Sequence, residues 1–184
     1  MAEASASIII PAYDAQGTIC RAVDSAITQD FRGGLEVIIV DDGSTDGTGE
    51  VMRSLTENSK SILFLQHSRN MGVAAAKNAG LQMSRSDKIM ILDADDMLDP
   101  TMLQTSYDAL SRNPHVSFVW PTYVFVDPSG EVIRRSKIKD GAGVLFRKSV
   151  FEAVGQFDET LRVGEDLHWY IRAYALGFGG IHVQ

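Results

Sequence analysis

The sequence predicts an α/β protein built on a mostly parallel central sheet. Three observations carry that prediction. Short, fully apolar runs alternate with segments of helical periodicity from the N-terminus to about residue 113, the pattern of strands covered on both faces. The polar residues that follow these runs gather at the strands' carboxyl ends, where open α/β sheets bind ligands. Beyond residue 113 the alternation gives way to a longer aromatic stretch and turns, so a smaller, mixed C-terminal part is expected.

Ser7–Pro11 (SIIIP) is the first strand. Over Thr18–Gln29 the residues Ile19, Ala22, Val23, Ala26 and Ile27 recur at the spacing of one helical face. Cys20 lies among them and is read as a core thiol. A lone cysteine makes no internal disulfide and no cysteine-based metal site. Leu35–Val40 is a β-branched strand, Gly47–Leu55 a helix, Ile62–Leu65 the third strand and Val73–Met83 the third helix. Lys88–Leu92 is the fourth strand, and Pro100–Arg112 is a helix with Asp99 at its N-cap and proline at its first position. Val116–Val126 is long, aromatic and interrupted by Pro121; Asp127–Gly130 is a turn, Glu131–Ile133 its returning partner, and Arg134–Lys139 a basic loop. Asp166–Leu176 is amphipathic, and Gly179–Gln184 reads as a strand with nothing after it, so the chain is expected to be truncated.

With 184 residues, 45% hydrophobic and 22% charged, the chain suits a single globular domain and excludes disordered or disulfide-framework classes. Its net charge of −7 argues against nucleic acid as a partner. No apolar run reaches the ~18 residues of a membrane span, and Met1–Ser7 lacks the features of a secretory signal, so a cytoplasmic protein is expected.

The acids at the strand ends are the strongest feature. Asp93, Asp95 and Asp96 fall within four residues. Like charges this close need a compensating cation or donors, and Mg²⁺ or Mn²⁺ with oxygen ligands supplies one. Such an ion would also bridge the acidic edge to a substrate diphosphate. Asp41–Thr48 reads partly as a turn and a helix cap, with Thr45 or Asp46 capping, but the paired Asp41 and Asp42 are left over for a ligand donor. No G-x-G-x-x-G, Walker motif, HExxH or G-x-S-x-G pattern occurs. Lys77 is the one cation on the third helix and reads either as a solvated side chain or as a phosphate contact; Glu165 and Asp166 suit a helix's first turn.

Taken in order, the segments IIIPAY (8–13), VDDGSTDGT (40–48), NMGVAAAKNAGL (70–81), LDADD (92–96) with Pro100, GQFDE (155–159) and Glu165–Asp166 with Arg172 resemble family 2 glycosyltransferases with the GT-A fold. The resemblance runs from about residue 5 to 180. It implies a Rossmann-like sheet flanked by helices in one domain, with residues 1–113 on the nucleotide-sugar side and 114–184 on the acceptor side. It implies transfer from a nucleotide-sugar, chiefly a UDP-sugar, with inversion, to a saccharide or lipid-linked acceptor, in polysaccharide or glycoconjugate synthesis. By position, Pro11, Ala12, Tyr13 and Asp42 would border base and ribose. Asp93, Ala94 and Lys77 would also meet the donor, Asp95 would hold Mn²⁺ or Mg²⁺, and Asp166 would be the general base. Work at the inner face of the membrane is compatible with this reading.

Two positions depart from the pattern: Asp14 stands where Asn is usual and Lys77 where Arg is common. No Q-x-x-R-W follows Asp166, which disfavours processive synthesis. Two other readings stand beside this one. Ile89–Asp96 also resembles the start of aspartyl-phosphate phosphohydrolases, and a module that binds a sugar nucleotide without catalysis would use the same acids.

Overall fold

The computed structural model describes residues 4–57, 59, 61–127, 131–136 and 142–184. In chain order its elements are β1 (Ala6–Ala12), α1 (Ile19–Ile27), β2 (Leu35–Asp41), α2 (Thr48–Glu57), β3 (Ile62–Gln66), α3 (Val73–Met83), β4 (Lys88–Ile91), α4 (Met102–Arg112), β5 (Phe118–Trp120), β6 (Tyr123–Val126), β7 (Val132–Ser136), β8 (Val144–Arg147), α5 (Lys148–Val154), α6 (Glu165–Ala175) and β9 (Gly180–His182).

A seven-stranded sheet has the order β3-β2-β1-β4-β8-β5-β9. β1 pairs in parallel with β2 (Ala6 opposite Leu35 through Ala12 opposite Asp41) and, on its other side, with β4. β8 runs antiparallel to both β4 and β5, and β9 returns parallel to β5. The expected mostly parallel sheet is therefore present, and a strand at Gly179–Gln184 forms over Gly180–His182.

The two-residue period of the strands divides the core. Ile8, Ile10, Val37, Ile39, Met90 and Leu92 pack with α1, α2 and α4, around Val23, Met52, Leu103 and Leu110. Ile9, Ile38, Val40, Ile89 and Ile91 face the opposite way, toward Ala74, Ala76 and Leu81 of α3 and the aromatic side chains of α5 and α6. Fully burying one such aliphatic side chain contributes about 1.5–3 kcal/mol. Gly80 lets α3 lie close to β1, because a Cβ there would run into the side chain of Ile9.

Several expectations are corrected. Cys20 is exposed. The buried face of α1 is Ile19, Ala22, Val23 and Ala26, and Cys20 sits about 100° of helical rotation from Ile19; Ile27 is also exposed. The helix after Asp99 begins at Met102, two residues later than expected. Asp99 caps the turn before it instead, accepting from the Thr101 N–H (3.0 Å) and hydroxyl (2.8 Å). Val116–Val126, by contrast, divides at Pro121 as expected: β5 belongs to the large sheet, while among the described residues β6 pairs with β7 alone. Pro121 stands at the break, where a residue without an N–H interrupts a ladder. Arg134–Ser136 lies in β7 rather than in a loop; residues 137–139 of that expected loop and residues 128–130 of the expected turn lie outside the described residues.

Candidate active site at the carboxyl edge

β1 lies where the strand order reverses, with β2 on one side and β4 on the other, the position at which α/β sheets open a crevice. β1 ends in Pro11 and Ala12, and the chain then turns through Asp14, whose φ of 48° is left-handed. Asn and Asp tolerate that region better than most residues. The Asp14 carboxylate accepts from the Thr45 N–H at 2.8 Å, so aspartate does the work of fixing the following loop. Asp46 then accepts from the Thr48 N–H (2.9 Å) and hydroxyl (2.5 Å) at the start of α2.

The two acids that end β2 have separate tasks. Asp41 is fully buried and accepts from the Ser44 N–H at 3.0 Å and the Gln66 side-chain amide at 2.7 Å. Asp42 ties β2 to the start of α3: its Oδ1 lies 2.7 Å from His67 Nδ1 and accepts from the Met71 N–H at 2.9 Å, and its Oδ2 accepts from the Gly72 N–H at 2.7 Å. Gly43, with φ +72°, passes so close to the Arg69–Asn70 backbone that no side chain fits.

A cavity of about 300 Å³ opens here, bordered by Pro11, Ala12, Tyr13, Asp42, Asn70, Gly72, Val73, Ala76 and Arg162. Four expected donor residues thus share one cavity. A second, of about 450 Å³, lies beside the β4–α4 loop and includes Asp95, Asp96, Asp99, Met97, Thr122 and Tyr123. Asp95 therefore borders a different cavity from Asp42, while Ala94 packs into the core.

Asp93 joins the two regions electrostatically. Burial pushes its carboxyl up to about 6; Lys77 opposes this, and Asp96, Asp95 and Asp166 add to it. Asp96 is also raised, by burial and then by Asp95. Asp93, Asp95 and Asp96 make no side-chain hydrogen bond or ion pair among the described residues, and no three His, Cys, Asp or Glu side chains there form a ready metal cage. Uncompensated carboxylates with an exposed Asp95 fit a hard divalent cation, which takes oxygen ligands.

Lys77 is not a solvated cation. Its side chain is 5% exposed, and its ammonium lies 2.6 Å from Glu165 Oε1 and 5.4 Å from the centre of the Phe157 ring. Glu165 and Asp166 open α6, after Gly164 in the left-handed region. The ion pair fixes the first turn of that helix against α3. Trp169 is fully buried and donates from Nε1 to the Gly155 carbonyl at 2.8 Å. Asn78 completes the attachment, donating to the Phe157 carbonyl (2.9 Å) and accepting from its N–H (3.0 Å). Asp166 is half-buried on this braced turn.

The sequence reading puts His67 and Asn70 at the end of the third strand and Glu165 beside Asp166 without giving any of them a role, and it misses Arg162. Glu165 pairs with a residue 88 positions away, and Arg162 lies in a connection with no periodicity to read.

The model for glycosyl transferase family 2 matches residues 7–178. The succinoglycan biosynthesis protein ExoU of Rhizobium meliloti is 32% identical over 92% of this chain and 57% of its own length. A chondroitin synthase of Escherichia coli is 34% identical over 69% of this chain and 18% of its own length. This chain thus spans little more than half of the first relative and a smaller part of the second. Among solved structures, S. aureus TarS 1–349 in complex with UDP superimposes with a TM-score of 0.80 at 20% identity, covering 97% of this chain and 57% of that one. The mannosyltransferase PcManGT of Pyrobaculum calidifontis, in complex with GDP-Man and Mn²⁺, gives 0.77 at 23% identity over 97% of this chain and 54% of its own. The fold is the GT-A arrangement expected from the sequence. The family match spans both the strand-end acids and the Glu165–Asp166 turn, and displaces the phosphohydrolase reading of Ile89–Asp96. The chain belongs to glycosyl transferase family 2.

Proposed function

We propose that this chain is the donor-binding and catalytic unit of an inverting glycosyltransferase that uses a UDP-sugar. The observation that carries the reading is the convergence at one sheet edge of the Pro11–Tyr13 and Asp42 cavity with the charge-coupled Asp93, Asp95 and Asp166. Pro11, Ala12, Tyr13 and Asp42 border the base and ribose. Asp93, with Ala94 holding the loop in the core, meets the ribose. Asp95 holds a divalent ion, Mn²⁺ or Mg²⁺, which when bound offsets negative charge on the departing diphosphate. Lys77 acts on the donor side through its field at Asp93 and through the Glu165 pair that steadies α6.

Asp166 is the general base. Its carboxylate takes the proton of the acceptor hydroxyl as that oxygen bonds to the anomeric carbon. On the opposite face the bond from that carbon to the diphosphate oxygen breaks, and the electron pair leaves with the nucleoside diphosphate. Asp166 stands in the first turn of α6, where a helix N-terminus interacts favourably with negative charge. The domain reading follows the same lines, with residues 1–113 serving the donor and 114–184 the acceptor, apart from Arg162, which borders the donor cavity from the second part. Relatives named for succinoglycan and chondroitin synthesis support a saccharide or lipid-linked acceptor in polysaccharide assembly. Among the described residues no helix is long and apolar enough to cross a membrane.

Calorimetric titration of UDP into the chain, with and without Mn²⁺, tests the reading. Binding that needs Mn²⁺ is expected; absence of binding by UDP and by GDP under both conditions would sink it.

A further inference from the structure

A diphosphate adds negative charge to an edge that is already acidic, and most protein cations around this edge are already engaged. Lys77 is buried against Glu165. His67 lies on Asp42, and Arg172 donates to the carbonyls of Val154 and Gln156. Arg134 covers the Phe125 ring, 4.4 Å from its centre.

Arg162 is different. Among the described residues bordering either cavity it is the one Lys, Arg or His side chain. It is exposed, lies on the connection from α5 to α6, and makes no ion pair among the described residues. Its Nη1 lies 3.4 Å from where a Cβ on Gly72 would stand, so the guanidinium hangs over the start of α3 on the wall of the donor cavity.

We propose that Arg162, rather than Lys77, is the side chain that meets the diphosphate of the donor; this rests on the nucleotide-sugar reading above. A guanidinium offers a planar fork of donors that matches phosphate oxygens in pairs. Lys77 has its ammonium committed to a carboxylate in a closed site, whereas Arg162 can swing from solvent onto an incoming anion without leaving a buried charge behind.

The test compares UDP with uridine, both titrated with Mn²⁺ present into the unaltered chain, Arg162→Gln and Arg162→Lys. Arg162→Gln is expected to weaken UDP binding about ten- to hundred-fold, leave uridine binding unchanged and melt like the unaltered chain. Arg162→Lys should retain part of the UDP affinity. The dependence of UDP affinity on salt should become shallower in Arg162→Gln, because a charge contact has gone. An equal loss for UDP and uridine would put Arg162 on the nucleoside and overturn the assignment. So would UDP affinity that does not change while the unaltered chain binds. Failure of the unaltered chain to bind any nucleoside diphosphate would remove the donor-site reading itself, and this assignment with it.

Discussion

The two edges of the central sheet handle acidic side chains in opposite ways. At the amino edge Glu36, which opens β2, is surrounded by donors. Its Oε1 accepts from the Ser7 hydroxyl at 2.6 Å and the Arg85 N–H at 2.7 Å, and its Oε2 accepts from the Arg85 guanidinium at 2.9–3.0 Å. Ser84 and Ser86 close the network around Ser7. At the carboxyl edge Asp41 and Asp42 are matched with comparable completeness, but Asp93, Asp95 and Asp96 have no protein donors among the described residues. Burial alone would raise Glu36, yet these hydrogen bonds and the Arg85 charge leave its carboxyl below the ordinary value. Burial raises Asp93 with only Lys77 to oppose it. A satisfied acid holds a fold together; an acid left short of partners is held ready for a ligand.

The largest effects belong to the unmatched edge. Asp166→Asn is expected to lower sugar transfer about 10³-fold, equivalent to about 4 kcal/mol in the barrier, while UDP binding stays within about twofold by calorimetry. A parallel loss of UDP affinity would show that Asp166 shapes the donor site instead. Asp95→Ala is expected to abolish the Mn²⁺ requirement together with most of the binding.

Next comes the pair beneath that edge. Lys77→Met leaves Glu165 buried without a partner, at a cost of about 3 kcal/mol in urea unfolding. Combining it with Glu165→Met should recover most of that loss, since replacing both members of a buried pair with packed apolar groups is often neutral. A double variant no better than the single one would show that the ion pair fixes α6 in a way volume cannot replace. At the matched edge Glu36→Gln is expected to cost about 2 kcal/mol at pH 7 through lost charge-assisted hydrogen bonds. Because the folded carboxyl titrates below its ordinary 4.5, that contribution is present above about pH 4.5 and fades as pH falls through the lower folded value. The gap between parent and variant should therefore close toward low pH.

Much of this was legible in the sequence, and the limits have physical causes. Periodicity locates β1–β4 and α1–α4 because there the apolar runs alternate regularly with amphipathic segments, each separated by polar turns. It misses β8, which runs into α5 with no turn between them, because an apolar run that continues straight into a helix reads equally as the start of that helix. Cys20 was misjudged because proximity in sequence to Ile19 and Val23 is not proximity on a helix face. The strand-end acids were found because fold topology brings strand ends together whatever the side chains do. Their division of labour was not, since Asp42 is matched by donors 25 to 30 positions away. Arg162 and Glu165 are long-range placements of the same kind.

The sharpest contrast between the edges is in the sign of their pH dependence. Asp93 titrates at about 6 in the folded chain against an ordinary value of 3.8, so between these values the folded state holds a proton that the unfolded state has released. Stability from this group then falls as pH rises from about 4 to about 6 and levels off above, the reverse of Glu36. Asp93→Asn removes the strain of the buried charge. In chelator at pH 7.5 the variant is expected to be more stable than its parent by about 1–2 kcal/mol, short of the full shift because the half-buried carboxylate keeps some water. At pH 4 the difference should vanish. Mn²⁺ with UDP should reverse the order at pH 7.5, since a ligand that binds the parent's folded state more tightly stabilises the parent more. A variant no more stable than the parent in chelator would mean that the carboxyl edge is as well matched as the amino edge, and the distinction between the two would fail.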